Sequence, residues 1–148
     1  METPFYQHVR LAIYNHFLRT GQAPTPADIA ASVNASEADA RSAFETLRDK
    51  HLILLDPDTG RVWMAWPLSG VETPYQVRVG AVRLFANCAW DLFGIPAMLG
   101  IDVALEAPCA RTGEPQSIII EDQQIKSSQG VVHFLVPPRQ WYDDIVHT

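Results

Sequence analysis

The sequence predicts an α+β protein in two parts. A winged-helix-like three-helix unit is expected over residues 1–70, and a small α+β domain over 75–148, with an antiparallel sheet packed on a buried helix. Three observations carry that expectation. Apolar residues recur at helical spacing through the first fifty positions. Two short apolar runs then flank a turn-rich pentapeptide. In the second half a long apolar stretch precedes three strand-like runs separated by turns.

Taken in order, Phe5, Val9, Ile13 and Phe17 form one stripe of a first helix, which Gly21 ends. The Pro24-Thr25-Pro26 turn leads into a short second helix, Ala27 to Ala31. Asn34-Ala35-Ser36 is a turn in which Ser36 is a good N-cap with Asp39 three residues on, so a third helix runs to about Lys50 and buries Ala40, Phe44 and Leu47. His51–Leu55 and Arg61–Trp66 flank Asp56-Pro-Asp-Thr-Gly60 as a hairpin, and three helices followed by a hairpin is winged-helix order. PLSGVETP, residues 67–74, reads as a linker.

Beyond it, Tyr75–Val79 reads as a short strand and Gly80–Gly94 as a helix that Pro96 ends or restarts. Strands are expected at Ile101–Ala107, Gln116–Glu121 and Val131–Val136, with the loop PCARTGEP (108–115) between the first two and KSSQG between the last two. A short helix closes the chain over Pro138–Ile145. Trp90 is expected in the core.

Composition narrows the function. The chain has 148 residues, 47% of them hydrophobic and 19% charged, as in a globular protein. The N-terminus lacks the apolar core of a signal peptide, and the longest apolar run carries Asn87, Asp91 and Pro96, which argues against a membrane span. A cytoplasmic protein is the simplest expectation. A net charge of −6 opposes a nonspecific grip on nucleic acid. On the third helix Glu37, Asp39, Glu45 and Asp49 outnumber Arg41, Arg48 and Lys50, so DNA binding is disfavoured although the fold is one that often reads DNA. Two cysteines are too few for a disulfide scaffold. The five histidines are scattered, and there is no P-loop, GxGxxG or Gly-x-Ser-x-Gly.

One constellation stands out. Ala81, Leu84, Phe85, Cys88, Asp91, Leu92 and Ile95 fall on one stripe of the expected helix, where a cysteine belongs and a carboxyl does not. A buried carboxyl without donors shifts toward the neutral acid, and a helix sets residues three apart side by side. A thiol beside such an acid can hold a soft atom on sulfur while the acid supplies a proton. Asp91 could instead accept from a loop or pair with Arg83 or Arg111. Cys109, in the PCARTGEP loop, could be a second soft ligand, a disulfide partner of Cys88, or a structural thiol.

LFANCAWDLFGIPAMLG followed by PCARTGEP resembles the core of the organomercurial (alkylmercury) lyases: Cys-x-x-Asp ahead of IPAMLG, then Cys-x-x-Thr-Gly. The likeness covers most of residues 75–137. It implies a winged-helix-like unit ahead of a catalytic α+β domain, and cleavage of a carbon–mercury bond. Cys88 would capture mercury as thiolate, and Asp91 would manage the proton delivered to the departing carbon. Cys109 would match a family cysteine that is more structural than catalytic, with a place as a further mercury ligand. No cofactor is implied beyond an external thiol. The partner would be a small organomercurial, with hand-off of Hg(II) to a mercuric reductase. Active members of the family carry a second catalytic cysteine after the last core strand, and VVHFLVPPRQWYDDIVHT has none. That departure leaves two further readings beside a lyase: a homologue that binds a soft metal or organometal without turnover, and a winged-helix regulator sensing a thiol-reactive ligand.

Overall fold

A computed structural model describes residues 3–128 and 130–145 of the chain. The first helix, α1 (Phe5–Thr20), buries Val9, Ile13 and Phe17, while Phe5 at its start remains exposed. α2 (Pro26–Val33) is longer than its apolar pattern because Thr25 caps it. Thr25 Oγ1 accepts from the Asp28 amide at 3.2 Å, and the Asp28 carboxylate accepts from the Thr25 amide at 2.8 Å, with Pro26 opening the helix. α3 (Glu37–Asp49) starts at the Ser36 cap and buries Ala40, Ala43, Phe44 and Leu47. Its charged residues stay on the exposed side.

β1 (Leu54–Leu55) and β2 (Val62–Ala65) form the hairpin, and β3 (Leu68–Ser69) adds to β2 as a third antiparallel strand. The stretch expected as a linker is therefore partly sheet. Leu68 and Ser69 are buried, and Leu68 bridges to Ala86 in the second half of the chain. Gly70 permits the turn back toward β2, since a Cβ there would collide with the Val62 carbonyl oxygen.

In the second half, β4 (Gln76–Val79), β5 (Val82–Phe85), β6 (Val103–Pro108), β7 (Pro115–Glu121) and β8 (Gln124–Ser128) form one sheet in the order β5-β4-β6-β7-β8, antiparallel throughout. Several expectations fail here, including a helix end or restart at Pro96, which lies inside the helix Ala89–Leu99. The helix read over Gly80–Gly94 begins only at Ala89, because Val79 and Val82 pair across a two-residue Gly80-Ala81 loop. Gly80 supplies the φ of +60° that a type II′ turn needs at its first central residue. The strand read over Val131–Val136 does not form. The last strand is β8, joined to β7 by Asp122-Gln123, both at positive φ as in a type I′ turn. Lys126 to Ser128 of the expected KSSQG turn lie in β8, and Gln129 is outside the described residues. Val131 is 93% exposed, so no core rewards a strand there. A 3₁₀ helix over Pro138–Asp143 takes the place of the expected final helix.

α4 (Ala89–Leu99) continues through Pro96 and ends at Gly100 in the left-handed conformation. The lost hydrogen bond is tolerated because Leu92, Ile95 and Pro96 are buried. Against α4 lies one face of the sheet, where period-2 alternation buries Leu105 and Ala107 of β6 and Ile118 and Ile120 of β7, along with Val77 and Leu84. These side chains and those of the three-helix unit form one continuous cluster. Gly21 joins the halves: at φ +73°, it lets α1 end against β5, where a Cβ would collide with the Arg83 carbonyl oxygen. Among the described residues no helix is long and apolar enough to cross a membrane.

Candidate active site

The start of α4 is where the sequence-predicted pair meets. Cys88 is not inside a helix. It is the N-cap, in extended conformation (φ −151°, ψ 179°), and its carbonyl accepts the first helical bond, from Leu92 at 3.1 Å. Asp91 is the third helical residue. Cap and third residue are the two positions a capping box brings together, so thiol and carboxyl share the first turn for a reason other than helical spacing. No cap hydrogen bond closes on the sulfur.

Both groups are half-buried, and among the described residues neither has a cationic partner. Burial pushes the Cys88 thiol up. The backbone amide of Asp91 pulls it down, the Asp91 charge pushes it up, and the Trp90 amide pulls it down. Loss of hydration wins over the helix-start amides, so the resting thiol is held neutral. Burial likewise raises the Asp91 carboxyl, opposed only by a hydrogen bond from the Asn87 side chain. Neither Arg83 nor Arg111 pairs with it: the ion pairs among the described residues are Arg41–Glu37 and Arg48–Asp49.

Asn87 is a site residue that sequence reasoning passed over. Its Nδ2 donates to Asp91 Oδ2 at 3.0 Å and to the Pro67 carbonyl at 3.3 Å. Asn87 Oδ1 is buried without a hydrogen bond among the described residues, which costs on the order of 1–3 kcal/mol. Pro67 reaches the site from the junction of β2 and β3, and its ring packs against Gly94 of α4. The preceding carbonyl, of Trp66, accepts from the Tyr14 hydroxyl of α1 at 2.7 Å. A chain of contacts thus runs from α1 to the carboxyl through Tyr14, Trp66, Pro67 and Asn87. The Asn-Cys signal stood in the sequence; the partner twenty residues upstream did not.

Cys109 occupies the β6–β7 turn, where its amide donates to the Glu114 carbonyl and its carbonyl accepts from Gly113, both at 2.8 Å. The Thr112 side chain, then the amides of Thr112 and Arg111, hold its thiol below the usual value. Strand register relates the two thiols. β5 and β6 both run antiparallel to β4, hence parallel to each other, and Phe85, Gln76 and Glu106 share a row. Cys88 lies three residues beyond that row on one side and Cys109 three beyond on the other, so both leave the same end of the sheet. At the row their strands are two spacings apart, roughly 10 Å. Both cysteines are free, so the disulfide alternative is not realised. No group of three or more His, Cys, Asp or Glu side chains placed to hold a metal occurs among the described residues.

Trp90, expected in the core, is 56% exposed and lies edge-on to Phe134 at 5.9 Å. Two clefts, of about 540 Å³ beside Phe5 and Asp39 and about 440 Å³ beside His51 and Tyr142, are lined by neither cysteine nor by Asp91.

Comparison with known proteins bears on this arrangement. The profile of the alkylmercury lyase family matches residues 68–148. An alkylmercury lyase of Bacillus cereus is 29% identical over 123 residues, covering 81% of this chain and 54% of the relative. One from Staphylococcus epidermidis is 30% identical over 118 residues, covering 77% and 52%. The chain thus spans about half the length of these curated relatives. In fold it matches the mercury-bound form of MerB2 with a TM-score of 0.63 at 23% identity, over 86% of this chain and 61% of that one.

Proposed function

The chain belongs to the alkylmercury lyase family, and from that premise we propose that it cleaves carbon–mercury bonds of small organomercurials at the start of α4. The observation that carries the reading is the pairing of a half-buried thiol and a half-buried carboxyl at cap and third position of one helical turn.

The chemistry follows from these environments. Resting Cys88 is a thiol, and burial raises the proton affinity of the Asp91 carboxylate, which suits it for taking the thiol proton as sulfur attacks mercury. Cys88 Sγ forms the S–Hg bond, displacing as an anion the halide or small-molecule thiolate that mercury carried, and the thiol proton passes to Asp91. The Hg–C bond then breaks with its electron pair on carbon, and Asp91 returns the proton to give the hydrocarbon. Asp91 is again a carboxylate, and Hg(II) stays on Cys88 sulfur, its preferred donor. Two external thiols then take mercury off as its bis-thiolate, one of their protons re-forming the Cys88 thiol and the other passing to water. Hand-off of thiol-bound Hg(II) to a mercuric reductase is the natural continuation, and a reducing cytoplasm suits two free thiols. Cys109, at the same end of the sheet with a lowered pKa, is a second soft ligand during transfer. Residues 75–148 carry the thiols; residues 1–70 are the support that positions Pro67.

Methane release from methylmercury with excess thiol tests the reading. Wild type should release methane above the thiol-only background and Cys88→Ser should not. Equal release by the two ends the lyase proposal, and mercury bound stoichiometrically at Cys88 without methane would make the protein a binder.

A further inference from the structure

We propose that Asn87 is a positioning residue that gives the two oxygens of Asp91 different tasks: Oδ2 is held by the Asn87 amide, and Oδ1 alone carries the proton between Cys88 and the leaving carbon. For its effect on turnover the proposal rests on the lyase reading.

Asn87 Nδ2 lies 3.0 Å from Asp91 Oδ2 and 3.3 Å from the Pro67 carbonyl oxygen. A carbonyl oxygen only accepts, so the amide nitrogen must face Pro67; rotating the amide would set two oxygens against each other. Asn87 therefore donates to Asp91 and cannot accept from it. An oxygen already accepting an N–H is the poorer site for a proton, so the proton leaving Cys88 settles on Oδ1. The clamp is anchored away from α4. Pro67 is seated against Gly94, and the Trp66 carbonyl before it is tied to Tyr14 of α1. Asn87 Oδ1, buried and without a hydrogen bond among the described residues, marks a side chain kept for its donor. The Asp91 charge acts on the Cys88 thiol of its own turn, while Asn87, which donates to it from the preceding segment, is neutral.

The test is Asn87→Leu in the whole chain, with two readouts. With phenylmercury and excess thiol, kcat for benzene release should fall about 10- to 100-fold while KM stays within about threefold, because Asp91 keeps an oxygen that takes the thiol proton on capture and loses only the fixed direction of its return to carbon. Independently, the Asp91 carboxyl carbon, followed by NMR and assigned with Asp91→Asn, should titrate at higher pH than in wild type once its donor is gone. An unmoved titration in the folded variant overturns the proposal, whether or not the wild type turns over. A shifted titration with no benzene from wild type supports the clamp and refutes the lyase reading. A shifted titration with kcat unchanged overturns the assignment of the proton to Oδ1. Asn87→Ser provides the same readouts if the leucine variant does not fold, and Asn87→Gln, which keeps a donor, should recover part of kcat.

Discussion

Replacing Gly94 by alanine sets two effects of opposite sign against each other. Gly94 lies inside α4, where alanine is favoured over glycine by about 1 kcal/mol. The added Cβ, however, would stand 2.9 Å from Pro67 Cβ and 3.3 Å from Pro67 Cγ. Carbon atoms in good contact sit about 3.5–4.0 Å apart, so the ring must retreat by more than half an ångström. A proline ring cannot rotate out of the way. The Trp66 carbonyl before it is held by Tyr14 and its own carbonyl by Asn87, so retreat strains both. Overpacking of this kind costs about 1–3 kcal/mol, which exceeds the helical gain and leaves a net loss of about 1 kcal/mol. Equilibrium unfolding in urea reads it: with a slope of about 2 kcal/mol per molar, the midpoint should drop by about 0.5 M. A midpoint that rises by the amount helix propensity alone supplies would show that Pro67 is not wedged under α4, and the anchoring of the site from the N-terminal unit would fall with it.

Asp91→Asn should stabilise the fold at neutral pH. The folded carboxyl titrates above its ordinary value of 3.8, so the native state binds the proton more tightly than the unfolded chain. Its stabilising contribution is present below the unfolded pKa and is lost as pH rises through the folded one. The variant's advantage should therefore be largest near pH 7 and shrink below about pH 4; an equal gain at both pH values would contradict the burial argument. Iodoacetamide at neutral pH should modify Cys109 before Cys88, since hydrogen bonds lower the one thiol and burial raises the other. Peptide mapping showing Cys88 labelled first would reverse that assignment. Gly21→Ala combines a left-handed φ with a collision against the Arg83 carbonyl, and should cost more than about 2 kcal/mol by thermal or urea unfolding. A cost below 1 kcal/mol would mean that α1 does not dock on β5 through this residue.

Much of the fold was legible because its signals are local. The four-residue stripe of α1 and the period-2 runs of β6 and β7 report burial on one face, which followed except at Phe5, and the Ser36 cap marks where α3 begins. Where the reading failed, the residues were locally ambiguous. VGAVRLFANCAW is apolar enough for either a helix or a buried strand, and periodicity over so short a run cannot separate them. What decided it was Gly80 turning the chain so that β5 could pair with β4. PLSGVETP carries the composition of a linker, yet Leu68 is core because both β2 and Ala86 lie within reach of it.

The candidate site divides in the same way. Cys88, Asp91 and the Cys109 turn were readable from the sequence alone, as thiols and a carboxyl at fixed spacing, and the family they resemble is the one the chain belongs to. That spacing says nothing of the surroundings. Only the tertiary structure made Cys88 a helix cap, took water from both groups so that their pKa values rise, and brought the Pro67 carbonyl from twenty residues upstream to orient the amide of Asn87. Reactive groups are written in covalent order, but desolvation and hydrogen-bond direction depend on which distant segments pack around them.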